Sequence, residues 1–221
     1  MNEINRLVIA TGNTHKTEEI RKLLDPFIKT IDDLQLYPEI GEIPETGSTF
    51  EDNAALKAIA VGNYLGDSSW ILSDDSGLEV NALNGRPGVF SARYAGENAS
   101  DSENRKKLLR ELKEEDPDRL DWSASFRCVM ILVKGKSKLA KFEGSVHGVI
   151  SDVEKGDHGF GYDSIFIPEG FESTFAELPL EVKNSMSHRG RALSALKKWL
   201  LNGSYCLLYT SDAADDVLWV V

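Results

Sequence analysis

Ser73-Asp74-Asp75-Ser76-Gly77 is the stretch on which the fold turns. Aliphatic Ile71 and Leu72 precede it, and the alternating Leu78-Glu79-Val80 follows. That setting reads as a strand interrupted, or ended, by two adjacent acids. Two carboxylates at one spot repel each other and resist desolvation, so they persist most readily where a cation neutralises them. Ser76 and Gly77 are small and let a bulky anion approach the backbone. A Mg2+–phosphate site has this look in sequence. The same letters are also good turn chemistry, in which case the two acids are simply solvated.

Working outward, Leu7-Val8-Ile9-Ala10 reads as a buried strand, broken by Thr11-Gly12-Asn13. A helix follows with Ile20, Leu23, Leu24 and Phe27 at helical spacing, and Asp25-Pro26 ends it. Residues 28–47 read as loop with room for one short strand. Ser48 and Glu51 have capping-box spacing and open a second helix to about Leu65. Trp70 to Leu83 is a strand or hairpin holding the acid pair. Ser100 and Glu103 form another capping box ahead of Leu108, Leu109 and Leu112. Lys106, Lys107, Arg110 and Lys113 then fall on the solvated side of that helix. Ser125 to Val133 is a strongly apolar strand, and Lys138 to Ile150 reads as one or two more. Ser187 is placed to cap a last helix bearing Ala192, Leu193, Leu196 and Leu200 on one face. Strands and helices mix without a regular βαβ cadence, so a mixed-sheet α/β fold is expected rather than a doubly wound one.

With 221 residues, the chain fits one large domain or two small lobes. A net charge of -11 argues against general affinity for nucleic-acid backbone, which needs a basic face. A small phosphorylated ligand stays possible, because a few local cations overrule the global field. The two cysteines, Cys128 and Cys206, make neither a disulfide framework nor a zinc spacing. Arg6 interrupts the first apolar run, so no signal peptide is expected, and no run approaches membrane-spanning length. A cytoplasmic setting fits these features. Residues 1–203 are expected to form the working domain. Residues 204–221 continue no periodicity and read as a non-native or disordered tail, the alternative being a terminal hairpin packed on the core.

Four constellations carry chemistry. Thr11-Gly12-Asn13-Thr14-His15-Lys16 joins a strand to a helix, where backbone N–H groups attract anions and Lys16 reaches the same place. An Asn-capped helix with a surface His15 and an exposed lysine would look the same. Glu45 precedes the second helix and Lys57 lies within it, so Glu45 is available to join Asp74 and Asp75 around a metal; taken singly, both are ordinary solvated charges. Gly159-Phe160-Gly161-Tyr162-Asp163 offers either a stacking surface for a purine or a glycine turn whose aromatics enter the core. Lys183 with Ser187-His188-Arg189-Gly190 places cations against a helix N-terminus, which is unfavourable unless an anion sits there. His188 has no partner His or Cys at metal-ligand spacing.

In their order, these segments resemble the inosine/xanthosine triphosphate pyrophosphatase family, the noncanonical purine nucleoside triphosphate pyrophosphatases. The likeness is carried by Thr11-Gly12-Asn13 with Lys16 and Glu19, by Glu45-Thr46-Gly47 with Phe50, Glu51, Asn53 and Ala54, and by Leu56-Lys57-Ala58. It continues through Ser73 to Leu78, Gly88 with Ser91-Ala92-Arg93-Tyr94, Phe160 to Asp163, and Ser187 to Gly190, covering residue 7 to about 201. The resemblance implies an elongated mixed α/β fold: a curved central sheet flanked by helices, two lobes and a cleft between them. It also implies a homodimer and Mg2+-dependent hydrolysis of ITP, dITP and XTP to the monophosphate and pyrophosphate. By the same resemblance Asp75 accepts a proton from the attacking water, while Glu45, Asp75 and Asp74 hold Mg2+. Thr11, Gly12, Asn13, Thr14, His15, Lys16, Lys57 and Ser76 cradle the triphosphate. Phe160, with Gly161 and Tyr162, takes the base; Asp163, Lys183, His188 and Arg189 contact base and phosphates. A septum-associated nucleotide pyrophosphatase shares the chemistry and a similar opening, but the His-Arg-Gly ending and the Phe-Gly-Tyr-Asp loop favour the first family. A nucleotide sensor that does not hydrolyse would tolerate loss of Asp75, which this chain keeps.

Overall fold

The computed structural model describes residues 4–201. The expectations for residues 204–221, including Cys206, lie outside the described residues. In chain order the elements are β1 (Arg6–Ala10), α1 (Thr14–Leu24), β2 (Thr30–Asp33), α2 (Phe50–Leu65) and β3 (Trp70–Val80). They continue with α3 (Asp101–Glu115), β4 (Ser123–Lys134), β5 (Ser137–Ile150), β6 (Phe166–Pro168), α4 (Leu180–Met186) and α5 (His188–Leu201). The six strands form one mixed sheet in the order β2-β1-β3-β4-β5-β6, curled like a half-barrel. β1 is parallel to both its neighbours, and the other pairs are antiparallel. The expected mixed sheet flanked by helices is the fold observed.

β3 corrects the first expectation. It is neither interrupted nor ended by the acids: every residue from Trp70 to Val80 pairs with β4, including Asp74 with Met130 and Asp75 with Val129. The apolar β4 holds the polar segment in the ladder. Because successive side chains of a strand point to opposite faces, Asp74 and Asp75 do not occupy one spot. On the Asp74 face, Leu72 packs with Ile20, Leu193 and Leu196 of α1 and α5. On the Asp75 face, Ile71 packs with Ala54, Ala58 and Val61 of α2. Farther along, Leu78 and Val80 join a third cluster with Leu108 and Leu112 of α3 and with Phe166 and Phe175. The cleft lies between this lobe and the other two clusters.

Gly77 lets the lobes meet closely. A Cβ there would lie 2.3 Å from the carbonyl oxygen of Gly88. The 3-10 turn Gly88–Arg93 therefore lies directly on β3, and Ser91 Oγ accepts from the Leu78 N–H at 2.9 Å.

Two helix starts were legible to different degrees. Ser100 and Glu103 make the reciprocal capping box at α3. At α2 the cap is one residue later than expected: Thr49 accepts from the Asp52 N–H, and Glu51 instead pairs with Lys138 and Lys141. α4 and β6 are too short for periodicity to reveal. No described helix is long and apolar enough to cross a membrane.

Candidate active site

β1 ends at the cleft, and the Thr11-Gly12-Asn13 link turns the chain into α1. Asn13 Oδ1 caps the helix by accepting from the Lys16 N–H at 3.1 Å. This fixes the first turn, which sends Lys16 inward to Asp74 Oδ1 at 2.7 Å. Glu19, three residues on, lies on the same inward side and is buried. It receives Lys183 Nζ at 2.9 Å on one oxygen and Arg189 Nη1 at 2.5 Å on the other. Arg189 continues to Asp74 Oδ2 at 3.2 Å and to Ser76 Oγ at 2.8 Å, while Lys183 continues to Asp163 Oδ2 at 2.7 Å. Lys16, Arg189 and Lys183 thus alternate with Asp74, Glu19 and Asp163, and the charges balance.

Burial opposes ionisation of Asp74, yet Arg189 and Lys16 outweigh it and hold the carboxyl well below the usual carboxylate range. Glu19 is lowered for the same reason by Arg189 and Lys183. Cys128 donates to Asp74 Oδ2, and burial followed by the Asp74 charge keeps its thiol protonated. Asp74 therefore leaves the expected carboxylate cluster. Its oxygens already serve Lys16, Arg189 and Cys128, on the face away from Asp75.

The Asp75 face is arranged differently. Lys57 is buried on α2 beside Asn53; its Nζ bridges Glu45 Oε1 at 2.6 Å and Asp75 Oδ1 at 3.3 Å. Glu45 is held again by Arg93, which reaches its Oε2 at 3.3 Å and its main-chain oxygen at 3.1 Å. Lys57 holds Glu45 below its ordinary value against the opposing effect of burial. Asp75 goes the other way: burial raises it, and Lys57 and Lys16 do not cancel that. Its Oδ2 is buried and has no hydrogen-bond partner among the described residues.

The far wall comes from the glycine-rich loop. Gly159 and Gly161 both have positive φ, at 78° and 61°. A Cβ at Gly159 would strike Asp163 Oδ2, the oxygen that accepts from the Phe160 N–H at 2.9 Å. The two sequence alternatives for these aromatics are each realised once. Phe160 lines the cleft, with Lys183 Nζ 5.1 Å and Arg189 Cζ 5.9 Å from its ring centre. Tyr162 is buried and donates to the Ser91 carbonyl oxygen at 2.9 Å. His188 is buried and stacks on Phe126 at 4.8 Å, and burial followed by Arg189 keeps it neutral. Its Nδ1 has no partner among the described residues.

These surfaces enclose a cleft of about 690 Å3, the size of a small-molecule site. Of the expected residues, Thr11, Gly12, Asn13, Lys16, Glu45, Lys57, Asp75 and Ser76 line one side. Phe160, Gly161, Tyr162, Asp163, Lys183, His188 and Arg189 line the other. Asp75 and Arg189 thus share one hollow. Asp74, Thr14 and His15 do not line it; His15 is exposed and stacks against Phe160 at 5.2 Å. Glu19 and Arg93 belong to the site although residue reading assigned them no role. Both belong to segments that carry the resemblance, which gave neither a role; a charge at an inward helical position pointed to Glu19, and nothing local pointed to Arg93.

Among the described residues no group of three His, Cys, Asp or Glu side chains gathers as a metal centre. Glu45 and Asp75 are two hard oxygen donors joined through Lys57, with Asp75 Oδ2 unengaged. That small donor set fits Mg2+, which keeps waters and shares its shell with phosphate oxygens.

The chain is similar to proteins of one family. A profile of the Ham1 family matches residues 7–199. The chain is 48% identical over 197 residues to a protein named dITP/XTP pyrophosphatase from Geobacter sulfurreducens, covering 89% of this chain and 97% of the relative. It is 43% identical over 198 residues to one of the same name from Listeria monocytogenes, covering 90% and 96%. A solved HAM1 protein from Coxiella burnetii superposes with a TM-score of 0.80 at 41% identity, covering 89% of this chain and 98% of that one. The Staphylococcus aureus Ham1 protein gives 0.78 at 39% identity, covering 90% and 99%.

Proposed function

The chain belongs to the Ham1 family, and from this premise we propose that it hydrolyses noncanonical purine nucleoside triphosphates, ITP, dITP and XTP, to the monophosphate and pyrophosphate. The observation that carries the reading is the shared cleft, with a raised carboxyl at one end and an aromatic wall backed by cations at the other. Asp75 takes the proton of a water attacking the α-phosphorus. The new bond joins that water oxygen to phosphorus, the bond to the bridging oxygen breaks, and pyrophosphate leaves with the electron pair. Asp75 lines the cleft with one oxygen unengaged, as a base in reach of the water requires. Lys57 keeps Asp75 and Glu45 in register, and its charge favours their ionised forms.

Glu45 and Asp75 would hold Mg2+, which when bound neutralises phosphate charge and acidifies a coordinated water. Lys16 and the Thr11–Asn13 backbone face the phosphates. Phe160 supplies the stacking face for the base. Lys183 uses two of its three N–H bonds on Glu19 and Asp163, leaving one donor beside the Phe160 ring. A donor facing the base favours the 6-oxo group of inosine and xanthosine over the 6-amino group of adenosine. Two further parts of the proposal are that the protein works as a homodimer, which rests on the resemblance, and in the cytoplasm, which rests on its cysteine usage and composition. A third concerns the domain boundary: residues 1–203 suffice, so truncation there should leave turnover intact.

The decisive assay is pyrophosphate release from ITP, XTP, dITP and ATP, with and without Mg2+. Release from the first three at low micromolar enzyme, weak release from ATP and loss on chelation are expected. Nucleotide binding without release would instead support the sensor.

A further inference from the structure

The loop carrying Phe160 is gripped from α3, whose Asp101 lines the cleft and whose Arg105 does not. Asp101 Oδ2 accepts from the Gly161 N–H at 2.6 Å. Arg105 Nη1 donates to the Gly161 carbonyl oxygen, also at 2.6 Å. The two side chains stand four residues apart on the first turns of α3, so they project from one helix face. Together they satisfy both hydrogen-bonding groups of a single glycine. Arg105 is itself oriented by Glu154, 2.9 Å from its Nε. One residue back, Asp163 Oδ2 holds the Phe160 N–H. The loop needs such holding, because glycines at 159 and 161 leave the backbone many alternatives once the contacts are gone.

We infer that Asp101 and Arg105 are positioning residues that set the height and tilt of the Phe160 wall, and so tune affinity for the purine ring. Neither is needed for the proton transfer or the phosphate contacts. The inference rests on the proposed nucleotide reading for its substrate, while the clamp can be tested without it.

The experiment takes the full chain and compares Arg105→Ala, Arg105→Lys and Asp101→Ala with wild type. With ITP and Mg2+, each alanine variant should raise KM by about 5- to 10-fold, as expected for one lost charge-assisted hydrogen bond that orders a binding loop, with kcat within about twofold. Arg105→Lys, which keeps one donor to the Gly161 carbonyl, should recover most of the loss. Combined with Phe160→Ala, Arg105→Ala should add little, because both act through the same ring. An unchanged KM in both alanine variants, or full additivity with Phe160→Ala, overturns the inference. Amide hydrogen exchange reads the clamp independently of catalysis. The Gly161 N–H should exchange at least about tenfold faster in Asp101→Ala, with residues of β3 unaffected. Unaltered exchange also overturns the inference. Wild-type protein that releases no pyrophosphate counts against the nucleotide reading, and exchange still decides the clamp.

Discussion

Asp74 and Asp75 are neighbours in the chain and opposites in the fold. Asp74 faces α1 and α5, is fully enclosed, and is ion-paired on both oxygens. Asp75 faces α2 and the cleft, shares one lysine with Glu45, and has one oxygen unengaged. Burial acts on both in the same direction. Two cations overrule it at Asp74 and not at Asp75. One peptide unit therefore separates a carboxylate locked in its charged form from one whose charged form burial disfavours. A strand is the element that makes this possible, because its pleat turns adjacent side chains away from each other.

The contrast can be broken most severely at Asp75. Asp75→Asn should lower kcat by about a thousandfold, the usual worth of a general base, while nucleotide binding stays measurable. Its unfolding midpoint should be equal to or above that of wild type. Near-normal pyrophosphate release would take the base role from this residue.

Asp74→Asn should show the reverse pattern, with stability carrying the larger effect. Arg189 and Lys16 would lose their shared counter-charge in a buried site, which costs about 3–5 kcal/mol. Urea denaturation with the m-value checked for constancy measures it. A loss no larger than that of a surface substitution would mean that Glu19 alone sustains the network.

Phe160→Ala sharpens the comparison by separating the two ends of the cleft. It should raise KM for ITP by about tenfold, the lower end of a base–aromatic stack, and barely change kcat. An effect confined to kcat would place the ring against the phosphates instead.

The smallest expected effect is on the pH profile of stability. Asp74 and Glu19 have folded values below their unfolded ones, so their contribution is present above the unfolded value and is lost as pH falls through the folded value. Asp75 is raised, so its neutral form favours folding in acid, and that benefit is lost as pH rises through its folded value. Wild type should therefore lose stability below the ordinary carboxylate range. Asp75→Asn should keep that acid limb, and Asp74→Asn should flatten it. Matching slopes for the two variants in a urea series across pH would contradict the assignment of opposite shifts.

Much of the fold was legible because its signals are local. Aliphatic runs marked β1 and β4, and helical spacing marked α1, α2, α3 and α5. Ser100 and Glu103 announced the start of α3 in four letters. The run Ser73 to Gly77 misled for a physical reason. Five small or charged residues carry no strand pattern, and the pairing that keeps them extended comes from β4, more than forty residues later. The cap of α2 slipped by one residue because Ser48 and Thr49 are both competent caps, and it is the Thr49 side chain that accepts from the Asp52 N–H.

What the sequence determined by itself was the inventory: which segments are apolar enough to be buried, where helices begin, and which side chains can carry charge or stack on a ring. Local chemistry is enough for that. Only the tertiary structure decided who meets whom. Arg189 finds Glu19 at a separation of 170 residues and Asp74 at 115, and Arg93 finds Glu45 at 48. Whether a buried carboxyl is raised or lowered depends on those distant cations, and nothing along the chain encodes their approach except the packing of the whole.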